Sequence, residues 1–179
     1  MKKIPFELHT EVYTPKDIAK VLSLAVNDKN FTGNNKGEKF LNVPVSFDIE
    51  TTSFYRDEDG ETYSYERYMK LGGKETKMEK CSLMYVWQFG INGFCIMGRT
   101  WDEFLQMLSE IVDILELCPK KRIVIYVHNL AYEFQFFREL LEWEKVFSID
   151  LRKPIYGITK TGLEFRCSYL LSGYSLAKL

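Results

Sequence analysis

Histidine is nearly absent from this 179-residue chain, and its four cysteines show no clustering. Only His9 and His128 occur, too few and too far apart for a zinc site. Cys81, Cys95, Cys118 and Cys167 form no C-x-x-C or other metal spacing, so they read as reduced, part-buried thiols. No apolar run approaches the ~20 residues of a membrane span. No secretory h-region comes after Met1-Lys2-Lys3, so a cytoplasmic protein that stays off the membrane is expected. Lys and Arg number 24 against 25 Asp and Glu, and a net charge of -1 leaves no global field to draw the chain to nucleic acid. Internal repeats are lacking too, which excludes a solenoid.

What is present argues for one domain of ordinary size. A hydrophobic fraction of 46%, with 13 Phe, 11 Tyr and 3 Trp, excludes disorder and supplies a sizeable core. One local imbalance stands out against the neutral total. From Lys145 onward, Lys145, Arg152, Lys153, Lys160, Arg166 and Lys178 face only Asp150 and Glu164. That stretch would suit a phosphate backbone, and it would equally suit a solvated β-surface with spare lysines.

The order of elements is readable. Thr14-Pro15-Lys16-Asp17 opens a short helix through about Val26, with Thr as cap, Pro in the first turn and Asp17 at the positive end. Asn30 to Lys39 is a Gly/Asn-rich loop that separates this leader, residues 1–40, from the strand at Val45. Residues 53–80 are polar, charged and glycine-interrupted, and are expected to form a long hairpin or flexible insertion. Ser82–Ile91 and Phe94–Arg99 read as strands joined by an Asn92-Gly93 turn. Thr100 and Glu103 form a capping box for a helix with Phe104, Leu105, Leu108, Ile111, Val112 and Leu115 on one stripe. Arg122–Val127 is a short buried strand. Further strands cover 146–151, 155–160 and 163–170, the last two meeting at Thr161-Gly162. This is an α/β pattern with a mixed sheet. The helix from Thr100 acts as a right-handed crossover, which sets Arg122–Val127 parallel to the strand at Val45.

Two clusters carry chemistry. In Val45-Ser46-Phe47-Asp48-Ile49-Glu50, the two carboxylates alternate onto one face of a strand. Unpaired buried carboxylates are costly, and a hard divalent cation such as Mg²⁺ is one reason to keep them. Two solvated acids at a strand end is the competing reading. The second cluster is His128-Asn129-Leu130-Ala131-Tyr132-Glu133. Asn129 sits where an N-cap belongs, and Glu133 stands one turn above it. A plain cap, a first-turn acid favoured by the helix dipole and an ordinary loop histidine explain these residues singly. After an Asp-x-Glu strand they are harder to dismiss, because the crossover brings all three acids to one end of the sheet.

Phe47-Asp48-Ile49-Glu50-Thr51-Thr52 resembles the first exonuclease motif of family B DNA polymerases. His128–Glu133 resembles the second, in the form found in protein-primed polymerases of phages and linear plasmids, and Ser168-Tyr169 is similar to the family's Ser-Leu pair. The likeness spans about residues 43–179 and implies a ribonuclease H-like (DnaQ-like) domain over 41–179, with its sheet flanked by helices. It implies 3′–5′ hydrolysis of the terminal nucleotide of single-stranded DNA through two Mg²⁺ or Mn²⁺ ions, which in such sites lie roughly 3.5–4 Å apart. Asp48 would bridge the ions, and Glu50 and Glu133 would each serve one. Thr51, His128, Asn129, Tyr132, Ser168 and Tyr169 would hold the DNA end.

Three departures qualify the match. Glu133 replaces the family's Asp, and Tyr169 replaces its Leu. The third motif, Tyr-x-x-x-Asp, belongs downstream of the Ser-Leu pair, and the chain stops at Leu179 before reaching it. Tyr55 and Asp59 satisfy that pattern in the wrong order, within what reads as a solvated loop. The expectation is therefore the N-terminal part of a polymerase, truncated before the third motif and weakly active or inactive alone. Its partners would be the remaining polymerase domains and a priming terminal protein. A non-catalytic single-strand-binding or docking module is the alternative.

Overall fold

Along Val45–Arg56 alternate residues are buried: Val45, Phe47 and Ile49 point into the core, while Ser46 and Glu50 face away. This strand is the axis of the computed structural model, which describes residues 9–175 and Lys178. The start of the leader, residues 1–8, lies outside the described residues. The strands are β1 (Val12–Tyr13), β2 (Phe31–Gly33), β3 (Lys39–Leu41), β4 (Val45–Arg56), β5 (Thr62–Tyr63), β6 (Glu79–Ile91), β7 (Phe94–Gly98), β8 (Lys121–Val127), β9 (Trp143–Asp150), β10 (Lys153–Thr159) and β11 (Leu163–Cys167). The α-helices are α1 (Ile18–Ala25), α2 (Tyr65–Lys70), α3 (Trp101–Leu115), α4 (Leu130–Phe137) and α5 (Ser168–Ser172).

The described strands form one mixed sheet whose main path runs β1-β7-β6-β4-β8-β11-β10-β9. β4 is antiparallel to β6 and parallel to β8, as the crossover through α3 from β7 to β8 requires, and β8 is parallel to β11. The β4–β8 pairing is short, with Ser46 opposite Tyr126 and Phe47 opposite Val127. Past Val127, that side of β4 has no partner from β8, and the space so opened is where the candidate site lies.

α1, α3 and α4 share one face. Phe47 stacks on Phe104 of α3 at 4.5 Å and meets Phe137 of α4 edge-on at 5.7 Å. α1 packs on α3 through Ile18, Val21, Leu22 and Ala25, so the leader helix belongs to the core. The Thr100–Glu103 capping box forms as expected, with Glu103 Oε2 accepting from the Arg99 and Thr100 amides. The buried stripe of α3 takes in Met107 and leaves Leu105 and Val112 half-buried.

Of the two expectations for residues 53–80, the long hairpin holds: β4 continues to Arg56, β6 begins at Glu79, and the two-stranded arm carries β5 and α2. Three other sequence readings are corrected. Tyr55 is a buried strand residue stacked on Tyr68 at 3.7 Å, not part of a solvated loop, while Asp59 is an exposed turn residue. The strand over 163–170 ends at Cys167, and residues 168–172 turn into α5. Among the thiols, Cys118 is exposed rather than part-buried.

Gly162 closes the β10–β11 turn at φ +91°, and an added Cβ there would lie 2.4 Å from the Cys118 carbonyl oxygen. The obstacle is backbone, so it cannot move aside cheaply. Gly162→Ala is expected to destabilise the fold by about 1–3 kcal/mol, read as a lower urea midpoint. An unchanged midpoint would contradict this close approach.

Candidate functional site

The end of β8 turns into α4 within two residues. Asn129 makes the turn in the left-handed region, at φ 60° and ψ 53°, which asparagine tolerates better than most residues. Asn129 occupies the N-cap position, as expected, but its side chain makes no capping bond to the described residues; its carbonyl accepts from the Tyr132 amide at 2.9 Å. Asn129 itself stays exposed. This tight turn swings the first turn of α4 over the open end of the β4–β8 pair and sends Glu133 inward, where it is only 4% exposed.

Glu133 meets Asp48 there. The two carboxyl groups stand close enough for Asp48 to act on Glu133, and a hydrogen bond between them requires a shared proton because neither carboxylate can donate. Burial pushes the Glu133 carboxyl up to about 10; the Asp48 hydrogen bond and charge add to this, with smaller contributions from Cys167 and Glu50. Glu133 Oε2 is buried without a hydrogen-bond partner among the described residues, a costly state for a polar atom.

Glu50 stands apart on the exposed side of β4. Among the described residues no three His, Cys, Asp or Glu side chains already stand together as a metal-holding group. Two acids meet and the third is near enough only for its charge to be felt.

The remaining candidates form two further contacts around this pair. Thr51 Oγ1 and Tyr132 Oη lie 2.6 Å apart, joining β4 to α4. His128 Nδ1 lies 3.3 Å from Ser168 Oγ, which donates to the Val127 carbonyl at 3.4 Å. With its proton committed there, Ser168 accepts from the Nδ1–H tautomer of His128. The Tyr169 ring meets the His128 ring edge-on at 5.7 Å. Tyr132 and Tyr169 are 43% and 44% exposed, so both rings keep a face open to a ligand. All three motif segments thus meet, with Asn129 and Glu50 at the margin.

Sequence reasoning missed Cys167 as a neighbour of the site. It is 3% exposed, and the β11–β8–β4 register sets it beside Val127, on the same face as Phe47. The apolar run Leu163-x-Phe165-x-Cys167 was the available signal: period two from Leu163 puts Cys167 inside.

No protein-family model matches this chain, and no curated protein matches it. No helix among the described residues is long and apolar enough to cross a membrane.

Proposed function

We propose that this chain is the 3′–5′ exonuclease segment of a protein-primed family B DNA polymerase, acting on the terminal nucleotide of single-stranded DNA. The observation that carries this reading is the Asp48–Glu133 contact at the end of β8, with a buried Glu133 oxygen left unpartnered among the described residues. Support also comes from the order β7-β6-β4-β8-β11, in which β6 alone runs against the others. A ribonuclease H-like sheet requires that arrangement. Ligand sites in open α/β sheets gather beyond the carboxyl ends of parallel strands.

The donor set suits a hard divalent cation, since Asp48, Glu133 and nearby Glu50 offer only oxygen and Glu133 Oε2 has a free lone pair. Asp48 and Glu133 would hold Mg²⁺ or Mn²⁺, with Glu50 turning in to join them. Such ions supply charge neutralisation at the attacking and leaving oxygens of an in-line phosphoryl displacement. The chain's own groups do the rest. The Tyr132 and Tyr169 rings pack against the terminal bases, and the Thr51, Tyr132 and Ser168 hydroxyls bond sugar or phosphate. None of these groups reads a base edge, so any terminal nucleotide fits. The remaining polymerase domains and a terminal protein are the proposed partners.

The test is mononucleotide release from a single-stranded oligonucleotide in Mn²⁺. Slow release is expected, reduced at least about 100-fold in Asp48→Ala, the scale lost with a group that stabilises only the transition state. Release that is metal-independent, or equal in the variant, would defeat the catalytic reading. The second reading, a non-catalytic single-strand-binding or docking module, draws on the outward stance of Glu50. Tight strand binding with no release in any metal would favour it.

A further inference from the structure

The sheet has a second face. α1, α3 and α4 all cover the side of Phe47, Val127 and Phe165, and the two other described helices have only six and five residues. On the uncovered side the register aligns one residue from each successive strand: Ser46, Tyr126, Arg166, Tyr156 and Phe147. Tyr126 is 36% and Phe147 47% exposed, and the Arg166 side chain is 38% exposed. Phe147 and Tyr156 stack at 5.5 Å, and Lys145 Nζ stands 5.6 Å from the Tyr156 ring centre. The row borders a groove of about 670 Å³ lined by Lys145, Tyr156, Arg166 and Leu171.

This row runs directly below the candidate site. Asp48, His128 and Ser168 each lie two residues beyond Ser46, Tyr126 and Arg166 on the same strands or just past their ends. Two residues along a strand is about 6.6 Å. From Tyr126 to Phe147 the row crosses three strand intervals, about 14 Å at the usual spacing.

We infer that this face, free of long helices among the described residues, binds the single strand that leads into the site, its bases stacking on Tyr126, Tyr156 and Phe147 and its phosphates meeting Arg166 and Lys145. The inference rests on the single-stranded-DNA reading of the site and names where the rest of the strand lies. Exposed rings beside cations suit nucleic acid: every base has a π-face, and Arg166 separates the Tyr126 ring from the stacked Tyr156–Phe147 pair, beside which Lys145 stands. Arg166 is held in place, its Nε and a terminal nitrogen both donating to one oxygen of buried Glu164, at 2.7 and 2.6 Å. Of the acids on this face, Glu164 is shared by Arg166 and Arg122 and Glu38 pairs with Arg122; Glu144 lies on the outer strand β9, and Asp48 and Glu50 stand at the site end of β4.

The experiment is fluorescence anisotropy of a labelled oligothymidine with the full chain, in EDTA and low salt. Tyr126→Ala combined with Phe147→Ala is expected to weaken binding about tenfold or more, while Tyr65→Ala on the arm leaves it unchanged. Circular dichroism confirms that the double variant stays folded. Lys145→Glu, at an exposed position, gives an independent loss that rises as salt falls. Strand binding that survives both changes overturns the inference, as does a wild-type chain that prefers duplex or binds neither. A dimer that Phe147→Ala dissociates without loss of strand binding would assign the face to a second copy and overturn it too. The exonuclease reading is judged separately, by metal-dependent release and its loss in Asp48→Ala, so either idea can fail while the other stands.

Discussion

Without metal, the Glu133→Gln variant is expected to resist urea better than the wild-type chain at mildly alkaline pH and to match it near pH 4.5. The Glu133 carboxyl rises from an ordinary 4.5 to about 10, first through burial and then through Asp48. Between those values the unfolded chain gives up its proton and the folded chain keeps it. Folding then takes up a proton, so stability falls as pH rises, with a slope approaching about 1.4 kcal/mol per pH unit. Below 4.5 both states hold the proton and the difference vanishes. Glutamine keeps the shape, donates to Asp48 through its amide and cannot ionise. By pH 8 the variant should lead by several kcal/mol, a large share of the ~5–15 kcal/mol that holds a typical domain together.

Added Mg²⁺ or Mn²⁺ should reverse the order. A cation that binds only the folded, ionised site stabilises it by mass action, raising the wild-type midpoint at alkaline pH and leaving the variant unmoved. Urea unfolding at two pH values, with and without the ion, reads both effects. Parallel pH profiles for the two proteins would show that Glu133 is not held protonated.

Phe47→Ala is the second large effect. Phe47 is 2% exposed and is clasped between Phe104 at 4.5 Å and Phe137 at 5.7 Å. Truncation removes the ring and leaves a cavity where β4, α3 and α4 meet, at an expected cost of about 3–5 kcal/mol. Phe47→Leu, which keeps most of the volume, should cost roughly 1.5 kcal/mol or less. Because Asp48 is the next residue and Phe137 lies on the helix that carries Glu133, the alanine variant should also lose its response to added cation. A loss below about 1 kcal/mol would mean that these two helices do not depend on Phe47.

The elements with strong local signals were legible. The capping box at Thr100, the Asn92-Gly93 turn and the strand ending at Val127 fall where the residues put them. Segments whose state depends on distant partners were not. Ser168 and Tyr169 extend an apolar strand pattern, yet β8 ends opposite Cys167 and offers no further hydrogen bonds, so the chain turns into α5. Asn129 stands at the cap position as read, yet in a left-handed conformation that makes no capping bond, because the chain must reverse from β8 into α4 in little space. For the arm over 53–80 a hairpin was one of two expectations, and its polar composition left the choice open until the long pairing of β4 with β6 settled it.

The sequence by itself determined the residue types that face one another: acids alternating along β4, an acid in the first turn of α4, and a cationic, aromatic C-terminal third. Periods of two and 3.6 residues are local properties, and local sterics and burial enforce them. Only the tertiary structure decided that Asp48 comes up beside Glu133 while Glu50 stands off, that Glu133 is buried with an oxygen unpartnered among the described residues, and that one face of the sheet carries no long helix among those residues. Those outcomes depend on where β8 stops and on which side the crossover helices pack, and both are set by contacts between residues far apart in the chain.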